Sequence, residues 1–423
     1  MSAEPILASL LPDTATLSAN DVTVGGVSLR GLAGIYGTPL FVYDEETLRA
    51  RCREAASVFD DGVAFASKSF LCGAMARLAF EEGLCIDVAT GGELDLVLRS
   101  GVPASRIIMH GNNKSVEEID RAVNVKVHRL VVDNFEEIAL LATIVSPSSP
   151  IDCLVRVTPG VEAHTHEFVR TGQEDTKFGF SVASGDARKA IDELQGIPGV
   201  QLHGVHAHIG SQVFELVGFI ESLSVLANFI ADDKFDELCI GGGLGVAYVA
   251  GESAPSISQW GDAVRSAAVE CGLETNVRLI AEPGRAVVAQ AGVTLYQVGA
   301  VKPVAQRTYM AVDGGMSDNP RPVLYGSGYE AFDVSNPLDS REQNVRLVGK
   351  HCESGDVLIE EAWLPRSTGV RSVIATPVTG AYGYSMASNY NRVPRPAVVF
   401  VHDGVAREVL RRETFDDMAR LEM

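Results

Sequence analysis

The chain has 423 residues, 46% hydrophobic and 21% charged, a globular composition large enough for more than one core. Its formal charge of −20 is spread along the length rather than gathered in a tail, which argues against a nucleic-acid or anionic-membrane partner. Seven cysteines without a CxxC pair suggest neither a disulfide framework nor a zinc ribbon, so reduced thiols are expected.

The opening MSAEPILASLLPD lacks a basic n-region and is broken by Pro5 and Pro12. With no apolar run near the roughly 20 residues of a membrane span, a cytoplasmic protein is expected. NDVTVGGVSL (20–29) has the pattern of a hairpin, and DEETLRARCREAASVF (44–59) that of a helix. Eight apolar runs of strand length then follow: 63–67, 84–89, 106–111, 129–133, 151–157, 202–210, 237–243 and 278–284. Segments of helical spacing separate them, among them GAMARLAFEEG, GELDLVLRSG, SVEEIDRAVN, FEEIALLATI, DARKAIDELQG and FIESLSVLANFIADD. This alternation predicts a TIM-type (β/α)8 barrel, an α/β architecture, interrupted by a long segment at 158–183. After about residue 290 the rhythm changes to short β-type runs split by Gly and Pro, predicting a second, all-β domain of barrel or sandwich type. The expected organisation is residues 1–38 joining the β domain, 39–290 forming the barrel and 291–423 the β domain.

On a barrel, Lys68, Asp87, His110, His208, Gly241, Gly242, Gly243 and the run Glu282 to Arg285 fall at C-terminal strand ends, the face that carries active sites. The loops after strands seven and eight are GGGLG and EPGR. Adjacent glycines let backbone N–H groups approach an anion, and an arginine adds charge-assisted donors, so the pair suggests a phosphate cradle. A phosphate at one end, a lysine at the other and an acid between them suit pyridoxal phosphate, which needs a lysine Schiff base and a partner for its ring nitrogen. Lys68 would supply the first and Glu282 the second, with His208 covering the ring. The roles of Asp87 and His110 stay open, a structural one being the default.

The motifs ASKSF, HGNNKS, EAHTHEF, HIGSQ, GGGLG, EPGR, SDNPRPVLYG, KHCESGDVL and GAYGYSMASNYN run from about residue 30 to the C-terminus. In combination they resemble the fold-type III pyridoxal-phosphate decarboxylases, in particular the branch of actinobacterial type that acts on meso-diaminopimelate. The resemblance implies that Lys68 holds the cofactor covalently, that His208 stacks on its ring, and that Ser211 helps hold its phosphate. Gly243, Glu282 and Arg285 match further cofactor contacts, with Gly241, Gly242 and Gly284 in the same two loops. Arg285, Arg321, Tyr325, Glu353 and Tyr382 match substrate-binding positions, Tyr382 also reaching the cofactor, and Cys352 matches the proton donor. Cys352 and Glu353 would come from the second subunit of a homodimer with shared sites. SKSF stands where many relatives have lysine, alanine and asparagine in sequence, which leaves the cofactor lysine intact.

The implied reaction converts meso-diaminopimelate to L-lysine and carbon dioxide. The distal end of that substrate carries an ammonium and a carboxylate, which Glu353 and Arg321 suit; a substrate with a distal ammonium alone would leave a buried arginine unpaired. No metal is expected. Two other classes stay open at this point. The pairs HAH (206–208) and HTH (164–166) are compatible with a metal-dependent barrel hydrolase, and the fold with a non-catalytic regulator, although both Lys68 and Cys352 are present. Within the enzymes, decarboxylation or racemisation of a related amino acid is the alternative.

Overall fold

The computed structural model describes residues 9–161, 176–273 and 276–423. Two compact units emerge, one made of Arg51–Gly245 and Ala254–Ala286, the other of the residues up to Ala50, Val246–Ser253 and Val287–Met423.

The first unit is the barrel. Its strands are β1 (Ala64–Ala66), β2 (Cys85–Val88), β3 (Ile107–Met109), β4 (Arg129–Val132), β5 (Ile151–Thr158), β6 (Val200–His206), β7 (Glu237–Cys239) and β8 (Arg278–Ile280). They pair in parallel in chain order. The ring closes between its ends, where Ala64 N donates to Ala281 O at 3.0 Å and Ala66 N to Pro283 O at 3.1 Å. Closure removes the free sheet edges. Ala64, Cys85, Ile108, Val131, Leu154, Cys239 and Ile280, each from a different strand, form one buried cluster and so define the inward face. Side chains alternate with period two along a strand, so residues two positions either side of this layer also point inward.

Between the strands lie α1 (Gly73–Glu81), α2 (Gly91–Arg99), α3 (Val116–Val125), α4 (Phe135–Ile144), α5 (Asp186–Gln195), α6 (Val217–Phe229) and α7 (Ile257–Glu270). Polar N-caps set where several begin: the Thr90 and Asn134 side chains accept from the N–H groups of Glu93 and Glu137, and Ser115 with Glu118 and Ser256 with Gln259 form capping boxes. Within α7, Gly261 interrupts the helical pattern of the sequence. That glycine is required by packing, since a Cβ there would lie 2.7 Å from the Val58 side chain. The observed strands stop short of several apolar runs: 237–243 yields three strand residues and 278–284 three, the remainder being loop.

The second unit holds a nine-stranded mixed sheet. Its central strand, Gly292–Val304, changes partners along its length: it pairs with Leu40–Asp44 and Val373–Pro377 first, then from Val298 with Arg307–Val312, a pairing that contains a register shift between Val298 and Ala300. Residues 40–44, expected in the barrel, therefore hydrogen-bond within this sheet instead, between Gly292–Val304 and Ala397–His402. The run LFVYD is buried throughout, and apolarity on both faces marks an interior strand without saying which sheet it joins. The hairpin Val22–Val24/Val27–Ser28 turns at Gly25 and Gly26, both with positive φ (55° and 77°), and packs its Val22 and Val24 into the core of this unit. No helix among the described residues is long and apolar enough to cross a membrane.

Candidate active site

At the C-terminal end of the barrel the inward positions become ionisable. Two residues beyond the apolar layer stand Asp87, His110, Arg156 and Glu282, all buried, and His206 shares their space. Glu282 is the hub. Its Oε2 meets His206 Nε2 at 2.9 Å, its Oε1 lies 3.0 Å from His110 Nε2, and the Cys239 thiol lies 3.5 Å from Oε1. His110 Nε2 is also 3.6 Å from Asp87 Oδ1, and the two imidazoles meet edge to face at 5.0 Å.

The charges decide the protonation states. Burial pushes the Glu282 carboxyl up, but the His110 and His206 imidazoles outweigh it and hold it well below the usual carboxylate range. Asp87 is pushed up to about 6, chiefly by burial, with His110 and Lys68 opposing and Glu282 adding to the shift. Burial lowers His110, yet Asp87 and Glu282 bring it to a net rise; burial wins at His206, which is lowered.

Lys68 stands in the turn Ser67–Ser69 after β1 and is exposed, although Gly62 to Ser67 on one side and Ser69 and Phe70 on the other are buried. A second lysine nearby contrasts with it. Lys114, in the loop after β3, is buried with Nζ 2.7 Å from Gly111 O, 2.8 Å from Val131 O and 2.7 Å from Glu137 Oε1, so its three donors are committed. Of the two, Lys68 is the amine open to chemistry.

His208, half-buried, accepts a hydrogen bond at Nδ1 from Gly242 N at 3.1 Å, which fixes its ring. Desolvation, then the Lys68 charge, holds it well below the usual histidine range, so its ring is neutral. Arg285 Nη2 donates to Ser211 Oγ at 2.8 Å, joining the loops after β6 and β8. The glycines between them answer first to packing: a Cβ on Gly241, Gly242 or Gly243 would come within 2.4, 2.1 or 2.1 Å of the carbonyl oxygens of Ala207, Glu282 and Gly210. Gly284 would bring a Cβ to 2.9 Å from that of Ala66, against the strand that precedes Lys68. A hydroxyl, a guanidinium and side-chain-free backbone in one loop cluster fit a phosphate, and an ionised Glu282 fits a protonated ring nitrogen. The residues present therefore suit pyridoxal phosphate. His110, His206 and Glu282 also have ligand atoms within 4.8 Å of one another, a set with metal-ligand chemistry, but a metal there would leave Lys68 and the Ser211–Arg285 pair without a part.

The remaining expected site residues belong to the second unit. Arg321, at the start of the short helix Arg321–Tyr325, is buried, stacks 4.1 Å from the Tyr248 ring centroid and donates from Nη1 to the Tyr329 hydroxyl. Tyr325 is half-buried at the end of the same helix. Cys352 and Glu353 are exposed, on a loop that Asp356 ties down: its carboxylate accepts from Met316 N at 2.7 Å and His351 N at 2.9 Å. Cys352 N donates to Asn391 Oδ1 at 3.1 Å. Tyr382 has a φ of 59°, an uncommon conformation for a large residue and a mark of a constrained position. HTH and EAHTHEF lie outside the described residues.

Sequence reasoning placed Asp87 and His110 on the active-site face but left their roles open, and did not connect His206, Arg156 or Cys239 with Glu282. The signal was available in the period-two alternation, which places Asp87 two beyond Cys85, His110 two beyond Ile108, Arg156 two beyond Leu154 and Glu282 two beyond Ile280.

A family model described as the pyridoxal-dependent decarboxylase, pyridoxal binding domain, matches residues 45–289. The diaminopimelate decarboxylase of Mycobacterium tuberculosis is 46% identical over 424 residues, covering 95% of each chain. That of Bacillus subtilis is 44% identical over 422 residues, covering 95% of this chain and 94% of its own. The crystal structure of diaminopimelate decarboxylase from M. jannaschii in co-complex with L-lysine superposes with a TM-score of 0.91 at 30% identity, covering 97% of this chain and 98% of the other.

Proposed function

The chain belongs to the pyridoxal-dependent decarboxylases, and from that premise we propose that it removes one carboxyl group from meso-diaminopimelate, releasing carbon dioxide and L-lysine. Arg321 carries the choice of substrate. Its guanidinium is buried with no ion-pair partner among the described residues, held by two tyrosines that add little negative charge. An unpaired buried cation costs several kcal/mol unless an anion arrives with the ligand, and the distal carboxylate of diaminopimelate is that anion.

Pyridoxal phosphate, when bound, supplies an electron sink for the pair left by the departing carboxylate. Lys68 would hold it covalently, Glu282 would face its ring nitrogen, His208 would cover one ring face, and Ser211, Arg285 and the glycine loop would take its phosphate. Neutral His208 suits that stacking role, since a charged ring beside Lys68 would be repelled. Tyr325, Glu353, Tyr382 and Arg285 would complete the substrate contacts, with Glu353 answering the distal ammonium. The Cys352 thiol would return a proton to the substrate carbon.

Cys352 and Glu353 would reach the site from the partner in a homodimer. Exposure of both residues and the rigid tether of their loop through Asp356 support that arrangement. Mixing Lys68→Ala with Cys352→Ala chains should then rebuild one intact site in each mixed dimer, roughly a quarter of full activity under random pairing. Activity that stays at the single-mutant level while chains exchange would refute sharing.

The deciding experiment follows carbon dioxide release from meso-diaminopimelate, L-lysine and L-ornithine by the cofactor-loaded protein. Meso-diaminopimelate should be preferred, and Arg321→Ala should cut its kcat/KM by about 100-fold or more with cofactor binding unchanged. Preference for lysine or ornithine would overturn the assignment.

A further inference from the structure

Both oxygens of Glu282 meet imidazoles from other strands, and the two contacts differ in kind. His206 makes a hydrogen bond to Oε2 at 2.9 Å, while its buried Nδ1 has no partner among the described residues. A proton on Nδ1 would be a buried donor without an acceptor, so His206 rests neutral with its hydrogen on Nε2, a fixed donor to Oε2. His110 has no such commitment. Its Nε2 faces two carboxylates at once, Glu282 Oε1 at 3.0 Å and Asp87 Oδ1 at 3.6 Å, so its contact to Oε1 is shared. Burial works against a charge on His110, but the two acids prevail and favour its protonated form.

We propose that these histidines divide the positioning of Glu282: His206 fixes the carboxylate's aim through Oε2, and His110 is an exchangeable counter-cation on Oε1 that passes to Asp87 when a cofactor ring nitrogen takes that oxygen. The proposal rests on the cofactor reading above. Charge balance supports it. The groups facing His110 are Asp87, Glu282, His206 and Arg156, with Lys68 acting on Asp87 and the Cys239 thiol beside Oε1. Burial and Glu282 keep Cys239 protonated, so it donates without adding charge. A second cation arriving at Glu282 would crowd protonated His110 there, and Asp87, whose carboxyl titrates at about 6, is the acceptor that relieves this.

Both residues are positioning residues, and the proposal gives them opposite signs. His206→Leu should weaken pyridoxal-phosphate binding by about tenfold and shift the pH midpoint of the bound cofactor's visible absorption, because Glu282 loses its aim. His206→Gln keeps an N–H donor and should restore affinity to within about twofold. His110→Leu removes the competitor for Oε1, so the cofactor should bind as tightly as in the wild type or tighter. Equal weakening by both leucine variants, or no rescue by glutamine, would show that the histidines serve packing and would overturn the proposal.

Nitrogen-15 spectra of the histidine-labelled wild-type chain do not depend on any variant folding. Without cofactor, His206 should keep the neutral Nε2–H form through the pH range in which an ordinary histidine titrates, and at neutral pH His110 should change protonation or partner when pyridoxal phosphate is added. A His206 that titrates normally, or a His110 unmoved by cofactor, would contradict it. Failure of the wild type to bind pyridoxal phosphate through Lys68 is a different outcome, which removes the cofactor reading and with it the exchange at Oε1.

Discussion

The two ends of the barrel both bury charge on the same inward alternation, and they do so with different residues. At the N-terminal end, two positions before the apolar layer, Arg129 of β4 lies across from Glu237 of β7, with Nε donating to Oε2 at 2.9 Å. These strands are not neighbours in the sheet, so the pair meets across the interior. Arg278 bonds the same Glu237, and Asp152 lies 3.8 Å from Arg129. At the C-terminal end the corresponding positions hold Asp87, His110, Arg156 and Glu282, joined by His206. Arginine keeps its charge at every accessible pH, so the lower cluster is a plug. Beside the fixed charge of Arg156, His110 faces a carboxyl pushed up to about 6, a pair able to exchange a proton, so the upper cluster is suited to chemistry. Burial of charge alone does not mark an active site; titratable partners beside an open lysine do.

The sharpest break in this comparison is Lys68→Ala. It should abolish covalent cofactor attachment and lower decarboxylation by at least about 1,000-fold. Because the side chain is exposed, urea unfolding of the same variant should stay within about 0.5 kcal/mol of the wild type. A large loss of stability would make Lys68 part of the fold. Glu237→Gln should do the reverse. It leaves Arg129 and Arg278 without their carboxylate and should destabilise the protein by about 3–5 kcal/mol, while kcat/KM of the folded fraction changes little. Lost activity without lost stability would erase the distinction between the two ends.

Two single groups, one at each end, should answer acid in opposite directions. His128, beside the lower cluster, is lowered to about 4 by burial and then by Arg129. Unfolded chains therefore bind its proton first, and stability falls as pH drops from about 6.5 through about 4. Its partial exposure limits the effect to about 1–2 kcal/mol, which His128→Gln should remove. Asp87 is raised to about 6, so between its folded value and about 3.9 the native state holds the extra proton and gains stability as pH falls. Asp87→Asn should remove a gain of similar or smaller size. Denaturation midpoints at several pH values separate the two slopes.

Much of this was legible from sequence, and the gaps have physical causes. Eight strand runs, the glycine loop, EPGR and Lys68 were visible because each is local: an apolar run, a turn composition, one amine at a strand end. Leu40–Asp44 was assigned to the wrong sheet because its burial on both faces is a local property and its pairing partners lie about 250 and 360 residues away in the chain. The histidine partners of Glu282 escaped for the same reason. The alternation along each strand turns His110 and Glu282 inward, but that they meet each other and His206 comes from closure of the barrel, which no spacing within one strand records. Arg321 stood out in SDNPRPVLYG through resemblance, whereas the stacking of Tyr248 on it comes from a segment that the sequence reading placed in the barrel.

The central claim is that the upper end of the barrel holds pyridoxal phosphate through Lys68. Borohydride treatment of the pyridoxal-phosphate-loaded protein, followed by proteolysis and mass spectrometry of the peptides, tests it most directly. The account predicts a stable pyridoxyl group on the peptide carrying Lys68, and its disappearance in Lys68→Ala. A label on Lys114 or another lysine, or an unlabelled Lys68 peptide from protein that has bound the cofactor, would contradict it.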